Sequence, residues 1–396
     1  MKTITIVGVG MRPGTLTQDG LAAIQAAEVL LGAPRLTGMF PGFSGLVFPV
    51  YQPDAIKSIV AEQAAERFVV LVSGDAGFFS AAAGVSAALS AYSVCRIPGI
   101  SSFSYFFARL GRSYEQAALV SLHGTGDTLV DTVRRNRLTF CLTGGNLAAI
   151  ADGLMQAGYD DLTVSAGENL GADGERIVSL PVRELAGANF GSLTVLLVEN
   201  PDADSRVLTG LPDESFLRGD VPMTKSCVRA VVMSRLALSP DAVCWDIGAG
   251  TGSVTVEMAL SAYRGSIYAI ERNEEGIDLI RKNCSLHHVG NVISVFGSAP
   301  DALLDLPAPD AVFIGGSGGS LSKIVSLILQ KNAACRIVVT AIALESVQDA
   351  MTAFAEAGLI PEIVQLNVSQ ARPAGRLHLM MAQNPITVLS AGGQHA

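Results

Sequence analysis

Val243-Cys-Trp-Asp-Ile-Gly-Ala-Gly-Thr-Gly-Ser-Val-Thr-Val-Glu257 carries the strongest structural signal in this chain. An apolar run ends at Asp246, a G-x-G-x-G turn follows, and a helical pattern then begins, which together predict a strand, a tight turn and a helix. Glycine allows the backbone to turn sharply and to approach a ligand, and the free N–H groups at a helix start suit an anionic group. We therefore expect a ligand site formed by Gly248, Ala249, Gly250, Thr251 and Gly252.

A second apolar run ends at Glu271, which lies 21 residues after Gly250. An acid at that distance can bind the hydroxyl groups of a ribose, so the pattern predicts a cofactor that contains a nucleoside. The glycine spacing differs from the G-x-G-x-x-G of dinucleotide-binding folds. With one acid before the turn and one after it, the segment resembles motifs I and II of the class I S-adenosylmethionine methyltransferases. The alternative is a glycine-rich turn that binds nothing, as in many other α/β proteins.

The composition indicates a folded protein of two or three domains, since the chain has 396 residues, of which 49% are hydrophobic and 16% charged. The formal net charge is −9 and no Lys/Arg-rich tract occurs, which argues against a nucleic-acid partner. No apolar run reaches the length of a membrane span, so we expect no membrane partner. Six scattered cysteines without a C-x-x-C pair favour buried thiols in a reducing cytoplasm over disulfides or a metal site.

Strand-like and helix-like segments alternate along the chain, which predicts an α/β fold. A stretch rich in Pro, Asp and Gly at 201–212 interrupts the alternation and is interpreted as a linker. We therefore expect a first domain at 1–200, with subdomains at about 1–115 and 116–200, and a second domain at 213–396. The second domain is expected to be an open, doubly wound, Rossmann-like sheet with its ligand at the carboxyl ends of the strands.

The pattern also predicts the individual elements. In the first half, strands are expected at 3–8, 68–72, 93–97, 117–121, 138–142, 162–166 and 192–198, and helices at 18–28, 79–90 and 146–157. In the second half, strands are expected at 243–247, 266–271, 291–296, 310–314, 335–340, 361–369 and 376–383. Helices are expected between them at 224–237, 252–261, 273–286, 299–305, 319–330 and 344–357.

Three glycine-bearing turns follow strands of the first half, within the segments 6–10, 71–79 and 97–102. Because the carboxyl ends of parallel strands meet at one edge of a sheet, we expect the turns to form a ligand cleft. Taken singly, each turn is also explained as a plain tight loop. Together they resemble the tetrapyrrole (class III) methyltransferase family, although Ala76 stands where that family usually has proline and the first loop, 11–13, is longer.

That resemblance implies a pair of α/β subdomains that hold S-adenosylmethionine in the cleft between them. The residues that match the family's motifs are Gly8, Gly10, Gly74, Asp75, Ser101 and Ser102. Over its whole length the chain resembles a family of fused, decarboxylating precorrin C5,15-methyltransferases of cobalamin biosynthesis. This resemblance is most specific at 121–124 and 214–225 and continues at 246–253, 269–273, 297–300 and 312–317. It departs from the family at Cys227, where glutamate is frequent.

The fused family implies a division of labour between the two halves. The first half would methylate C5, and the second would methylate C15 and remove the carboxyl group of the ring-C (C12) acetate. Each domain would bind one S-adenosylmethionine, the substrate would be a precorrin, and the chain would form a homo-oligomer. Carried over by motif, the cofactor contacts of the second domain are Thr224, the 248–252 turn, Glu271 and Ala299.

Methyl transfer from a sulfonium to an electron-rich carbon needs no side-chain nucleophile, so the protein mainly positions donor and acceptor. The catalytic candidates are His123, as a proton shuttle, and Gly315 and Gly316, as a wall beside the reacting carbon. The substrate carries many carboxylates, for which arginine forks are natural partners. The candidates, each of which has a solvated surface charge as its alternative, are Arg109, Arg112, Lys225, Arg229, Arg372 and Arg376.

Three other functions remain open from the sequence. The chain could methylate a different tetrapyrrole or another small molecule. A nucleotide-binding oxidoreductase would use the same α/β scaffold, although the glycine spacing argues against it. A scaffold in which one half has lost its site is the third alternative, and the departures at Ala76 and in the first loop point to the first half as that half.

Overall fold

The protein is described from a computed structural model, which describes residues 2–122 and 129–393. The strands are β1 (Thr3–Gly8), β2 (Val29–Leu31), β3 (Leu46–Phe48), β4 (Arg67–Val72), β5 (Ser93–Ile97), β6 (Ala117–Ser121), β7 (Leu138–Leu142), β8 (Thr163–Glu168), β9 (Arg176–Pro181), β10 (Thr194–Glu199), β11 (Val243–Ile247), β12 (Ser266–Glu271), β13 (Val292–Phe296), β14 (Ala311–Ile314), β15 (Arg336–Ala341), β16 (Glu362–Leu366), β17 (Ser369–Ala374), β18 (Leu377–Ala382) and β19 (Ile386–Ala391). The helices are α1 (Gln18–Ala26), α2 (Pro34–Thr37), α3 (Pro53–Glu62), α4 (Ala82–Ala88), α5 (Ser102–Leu110), α6 (Leu129–Arg135), α7 (Leu147–Gln156), α8 (Val182–Leu185), α9 (Ser226–Leu236), α10 (Ser253–Ser261), α11 (Glu274–Leu286), α12 (Leu321–Lys331) and α13 (Leu344–Glu356). The predicted α/β class is confirmed.

The chain forms two compact units whose limits do not follow chain order. The first unit comprises the described parts of 1–125, 138–148 and 163–199, and the second comprises those of 126–137, 149–162 and 200–396. Helix α6 and most of α7 therefore belong with the C-terminal half, although the sequence placed them in the first domain. Contacts inside the second unit explain this, because the Tyr159 and His288 rings stack at 4.4 Å and Asn200 Nδ2 donates to the Val133 carbonyl at 2.9 Å.

A five-stranded parallel sheet of the first unit has the order β3-β2-β4-β1-β5. Its core is formed by buried aliphatic side chains such as Ile4, Ile6 and Val70. Strand β1 lies between β4 and β5, with Gly8 opposite Val72 of β4 and Val7 opposite Ile97 of β5. Since all three strands run in the same direction, the three glycine-bearing turns leave the sheet at one edge.

A second five-stranded sheet of the same unit has the order β6-β7-β10-β8-β9 and is mixed, because β6 and β7 are parallel and β10 is antiparallel to both of its neighbours. Helix α5 packs on this sheet through Phe106 and Phe107, which are buried together with Phe140 and Leu197. The helix starts at the third glycine-bearing turn. It therefore links the turns of the first sheet to the second sheet.

The second unit contains a seven-stranded sheet with the order β13-β12-β11-β14-β15-β19-β16. Its strands are parallel except for β19, which is antiparallel to β15 and β16. Alternate residues of β11 enter two hydrophobic clusters, with Cys244 in one and Trp245 and Ile247 in the other, as expected for a strand covered on both faces. The chain leaves β11 at the point where the strand order reverses, which is where ligands bind in sheets of this kind.

Several predicted elements differ from the structure. The strand predicted at 376–383 is not part of the main sheet: β18 pairs with β17 in a separate, fully exposed ribbon, and the unpredicted β19 fills the place in the sheet. The apolar runs of β18 and β19 lie close together in the sequence, and their patterns do not indicate which of them joins the main sheet. The helix predicted at 299–305 is only a 3-10 turn, Asp301–Leu303. Within the described residues, none of the helices combines the length and apolar character that crossing a membrane requires.

Candidate functional site

The glycine turn after β11 is held in a conformation that only glycine adopts easily. Gly248, Gly250 and Gly252 have φ values of 74°, 57° and 79°, in the left-handed region. A Cβ on Gly250 would also lie 2.5 Å from the carbonyl oxygen of Pro222. Both the backbone conformation and the close approach of residue 222 therefore require glycine at position 250.

Glu271 lies at the end of β12, beside this turn, and is 8% exposed. Its Oε2 accepts from the Gly250 N–H at 2.8 Å, and its Oε1 accepts from the Arg272 and Asn273 N–H groups, both at 2.9 Å. A carboxylate has about four acceptor positions, so one is left for a ligand. A ribose that engages Glu271 with both hydroxyl groups would have to displace one of these backbone contacts.

Two buried polar atoms beside the turn have no hydrogen-bond partner within the described part of the chain. They are Asp246 Oδ1, at the end of β11, and Thr251 Oγ1, in the turn itself. The other carboxylate oxygen of Asp246 accepts from Thr255 Oγ1 at 2.5 Å. Burial raises the pKa of Asp246 to about 7, against the opposing effect of the Thr255 hydrogen bond. Unpartnered buried polar atoms at a glycine turn fit a site that receives a polar ligand group.

Two further turns come next to the first. The N–H groups of Gly315 and Gly316 donate to the Ile247 carbonyl at 2.9 and 3.3 Å, and a Cβ on Gly248 would lie 2.9 Å from the Gly316 nitrogen. The other turn follows β13, where the Gly297 N–H donates to the Glu271 carbonyl at 3.0 Å. Ala299 follows in this turn and packs, partly buried, against the hydrophobic cluster of Trp245 and Ile247. The predicted residues of the second domain at 248–252, 271, 299 and 315–316 are thus brought to one edge of the sheet.

The segment 210–225, which we call the strap, is attached to this edge by side chains that the sequence analysis did not single out. Glu257 accepts from the Gly210 and Leu211 N–H groups at 2.8 and 3.0 Å. Asn283, which is completely buried, joins the strap to the glycine turn: its Oδ1 accepts from Leu217 N–H at 2.7 Å and its Nδ2 donates to the Thr251 carbonyl at 2.8 Å. Glu257 could have been recognised from the sequence, because it is a charged residue within the otherwise apolar helix α10.

Arg229 requires a correction, because the structure does not leave it available to a substrate. It is fully buried; its Nε lies 2.7 Å from Glu257 Oε1 and its Nη1 lies 3.0 Å from Asp213 Oδ1. It also donates to the carbonyls of Leu211 and Thr224. All of these partners belong to the strap or to α10, so Arg229 stabilises the strap and does not bind substrate carboxylates.

In the first unit the three glycine-bearing turns contact one another directly. Gly10 and Gly74 exchange two backbone hydrogen bonds of 3.0 and 3.1 Å. A Cβ on Gly8 would lie 2.7 Å from the Gly74 carbonyl oxygen and 2.8 Å from the Gly99 nitrogen. No larger residue fits at Gly8 without moving the backbone of the other two turns, so the close packing of the turns explains the glycines there.

Asp75 and Ser101 hold this arrangement in place. Asp75 accepts from the Gly77 N–H at 2.7 Å within its own turn and from the Gly99 N–H at 3.0 Å in the next turn. Ser101 Oγ accepts from the Ser104 N–H at 3.1 Å and so caps α5, whose first residue is Ser102. The hydrogen bonds of these two side chains thus hold the second and third turns in place.

A cavity of about 690 Å³ adjoins the first turn of this unit. It is lined by Met11, Arg12, Met39, Tyr105, Arg109, residues 171–173 and Glu175. The predicted substrate residue Arg109 is therefore at a cavity, although its Nε is 2.8 Å from Glu175 Oε1. Arg112 lies elsewhere and pairs with Glu199 at 2.6 Å.

The remaining predicted residues are less informative. Lys225 is 40% exposed and lies 3.7 Å from Asp213. Arg372 and Arg376 lie on the exposed ribbon and in its turn, outside the seven-stranded sheet. His123 falls outside the described residues.

Comparison with known proteins gives a consistent result for both halves. Residues 215–392 match the model of the precorrin methyltransferase domain, and residues 3–186 match that of the tetrapyrrole (corrin/porphyrin) methylases. The chain is 40% identical over 185 residues to a probable cobalt-precorrin-6B C(15)-methyltransferase (decarboxylating) of Pyrobaculum calidifontis, which cover 46% of this chain and 95% of the relative.

A longer relative spans both halves. A precorrin-6Y C(5,15)-methyltransferase [decarboxylating] of Sinorhizobium sp is 28% identical over 404 residues, which cover 97% of this chain and 95% of the relative. Among solved structures, a precorrin-6Y C5,15-methyltransferase of Geobacter metallireducens is 35% identical with a TM-score of 0.45, covering 47% of this chain and 98% of that one. The relatives are methyltransferases, so they do not support the oxidoreductase alternative.

Proposed function

This chain belongs to the precorrin methyltransferase family, and we propose that it is a bifunctional enzyme of corrin-ring biosynthesis. It transfers methyl groups from S-adenosylmethionine to C5 and C15 of a precorrin and removes the carboxyl group of the ring-C (C12) acetate. The observation that carries this proposal is the relative that has both methylations in its name and aligns with 97% of this chain.

The two reactions are assigned to different parts of the chain. Residues 213–396 methylate C15 and decarboxylate, since the C(15)-specific decarboxylating relative aligns with 46% of the chain and the precorrin methyltransferase model covers 215–392. Residues 1–200 methylate C5, since the tetrapyrrole methylase model covers 3–186. The stretch 201–212 links the two parts.

Each domain holds one S-adenosylmethionine, which when bound supplies an electrophilic methyl group. In the second domain the 248–252 turn, the free acceptor position of Glu271, Thr224 and the backbone at Ala299 bind it. The unpartnered Asp246 Oδ1 and Thr251 Oγ1 support this assignment, because both are buried polar atoms at the turn. In the first domain the backbone of the three turns binds it, with the matching residues Gly8, Gly10, Gly74, Asp75, Ser101 and Ser102.

The protein's own residues position the reactants and exclude water. The strap is fastened beside the glycine turn by Glu257 and Asn283, so the donor site is assembled from two separate segments. A Cβ on Gly316 would meet no atom within 4 Å, so this residue borders open space beside the turn. That opening supports the assignment of Gly315 and Gly316 as the wall next to the reacting carbon, where positioning supplies most of the rate enhancement.

The chain forms a homo-oligomer through the ribbon β17–β18, which pairs with the ribbon of a second copy. All residues of the ribbon are exposed, including Leu377 at 68% and Met380 at 66%, and exposed apolar side chains of this size are typical of interfaces. Sedimentation of a Leu377→Ser/Met380→Ser variant tests the interface: a smaller species is expected, and an unchanged one contradicts it.

The six cysteines are free thiols, which supports a reducing cytoplasmic location.

Mass spectrometry of a reaction with precorrin-6B and S-adenosylmethionine tests the proposed function. The expected product has gained two methyl groups and lost one CO2. Gly10→Ala, whose residue has a φ of 72°, should yield only the singly methylated, decarboxylated product, while Gly250→Ala should retain only C5 methylation. A wild-type enzyme that leaves the precorrin unmethylated contradicts the proposal.

A further inference from the structure

We propose that the cavity beside the first glycine-bearing turn is a subsite for a carboxylate side chain of the precorrin, with Arg12 and Arg109 as its cationic ligands and Glu175 as the residue that positions Arg109. The inference rests on the proposed function of the first domain. It adds Arg12, Tyr105 and Glu175, to which the sequence assigned no role.

The location of the cavity connects it to the proposed donor site. Met11 and Arg12 follow Gly10 directly in the chain, and Tyr105 and Arg109 lie on α5, which begins at the third turn. The other lining residues are Gly171, Ala172, Asp173 and Glu175, which precede β9 of the second sheet. A cavity of about 690 Å³ is within the range of small-molecule sites and lies next to the turns that would hold the methyl donor.

Glu175 organises the wall of the cavity. Its side chain is only 16% exposed, and it accepts three hydrogen bonds: from Gly171 N–H at 2.7 Å, from Tyr105 Oη at 2.8 Å and from Arg109 Nε at 2.8 Å. Three of its roughly four acceptor positions are therefore used inside the protein. Glu175 is not placed to bind a ligand itself; it fixes a loop, a phenol and a guanidinium in one arrangement.

Arg109 is held in a way that suits carboxylate recognition. Glu175 engages its Nε at 2.8 Å, and the Arg109 side chain is 55% exposed. A guanidinium binds a carboxylate through two parallel N–H donors, which the terminal nitrogens provide. An arginine fixed at Nε loses less side-chain entropy on binding than a free one.

Arg12 supplies the second positive charge of the cavity lining. Its backbone is fixed by Thr15, whose Oγ1 accepts from the Arg12 N–H at 3.0 Å and donates to the Arg12 carbonyl at 2.8 Å, while the side chain is exposed. Burial raises the pKa of Tyr105 and the charge of Arg12 opposes that effect, so the guanidinium is within electrostatic reach of the phenol. The positive charge of Arg109 is already compensated by the Glu175 carboxylate. A substrate carboxylate therefore neutralises the charge of Arg12.

The test compares variants of the full-length enzyme in the C5 methylation of precorrin-6B, with C15 methylation and decarboxylation measured in the same reactions. Arg12→Gln and Glu175→Gln should each raise KM for the precorrin by about tenfold, the value of one charge-assisted hydrogen bond, and change kcat less than about threefold. Affinity for S-adenosylhomocysteine should stay unchanged, because the turns are untouched.

Matched controls exist in the same unit. Glu168 also binds an arginine, Arg176, at 2.9 Å and a glycine N–H, and is 14% exposed, but it does not line the cavity, so Glu168→Gln should leave KM unchanged. Arg35→Gln is the control for Arg12, since Arg35 is exposed in α2, outside the cavity lining.

The inference is overturned if Arg12→Gln has the KM of Arg35→Gln, or if Glu175→Gln behaves like Glu168→Gln. If Glu175→Gln does not fold, Arg12→Gln decides alone, because it changes an exposed side chain. If the wild-type enzyme does not methylate C5, the proposed function of the first domain is contradicted. If the wild-type enzyme methylates C5 normally and the variants have the wild-type KM, only the proposed subsite is contradicted.

Discussion

Replacing Arg229 with methionine should destabilise the second unit by about 3–5 kcal/mol, because it leaves the Glu257 carboxylate as a buried charge without its partner. Both side chains are 0% exposed, and their Nε and Oε1 atoms are 2.7 Å apart. The two N–H groups of the strap that bind Glu257 compensate only part of its desolvation. Adding Glu257→Gln to Arg229→Met should reduce the loss, since the double variant buries no charge at this position.

The chain contains one tryptophan, Trp245, which is fully buried in β11. Its fluorescence therefore reports the unfolding of the second unit within the full-length protein. With a urea m-value of about 2–3 kcal/mol/M, the midpoint should fall by roughly 1–2 M.

Arg235→Met on the same helix is the control. Arg235 and its partner Glu362 are 34% and 57% exposed at 2.7 Å, and a surface pair of this kind contributes less than about 1 kcal/mol. The reasoning is refuted if Arg229→Met and Arg235→Met shift the midpoint equally, or if the double variant is less stable than Arg229→Met.

Three further predictions concern the glycine turn and its neighbours. Gly250→Ala should weaken binding of S-adenosylhomocysteine by roughly tenfold or more, because alanine is strained at a φ of 57° and its Cβ would lie 2.5 Å from the Pro222 carbonyl oxygen; calorimetry showing wild-type affinity would contradict this. Gly316→Ala should keep the wild-type urea midpoint, since its Cβ meets no atom within 4 Å, yet lower kcat for C15 methylation by roughly tenfold; equal kcat would remove Gly316 from the reacting wall. For Asp246 the folded pKa of about 7 exceeds the unfolded 3.8, so its contribution to stability is complete below about pH 4 and is lost as the pH rises to 7, by on the order of 4 kcal/mol. Asp246→Asn should therefore flatten the decline of the unfolding free energy over that range, and an unchanged slope in Trp245-monitored titrations would disprove the assignment.

The sequence predicted what local patterns encode. The run that ends at Asp246, its glycine turn and the acid at Glu271 were recognisable because strand, turn and acid follow one another within a short stretch. The three turns of the first unit were predicted to meet because parallel strands place their carboxyl ends at one edge, and β1, β4 and β5 are indeed neighbours. Strands β2 and β3 were not predicted, since three residues each are too few to establish a period.

Features that depend on distant parts of the chain were not predictable. Arg229 was predicted to bind a substrate carboxylate, with a solvated surface charge as the alternative, because its partners at 213 and 257 are apparent only once the strap lies against α10. Asn283 gives no motif, although it joins two segments of the second unit. Likewise, the pairing of Glu175 with Arg109 requires the second sheet to bring residue 175 to α5. In each case a tertiary contact, and not a local pattern, determines the role of the residue.

Isothermal titration calorimetry with S-adenosylhomocysteine addresses the central claim most directly, because it counts donor sites per chain. The wild-type protein should bind two molecules per chain, and Gly250→Ala should bind one with appreciable affinity. A single site in the wild-type protein would contradict a donor site in each half.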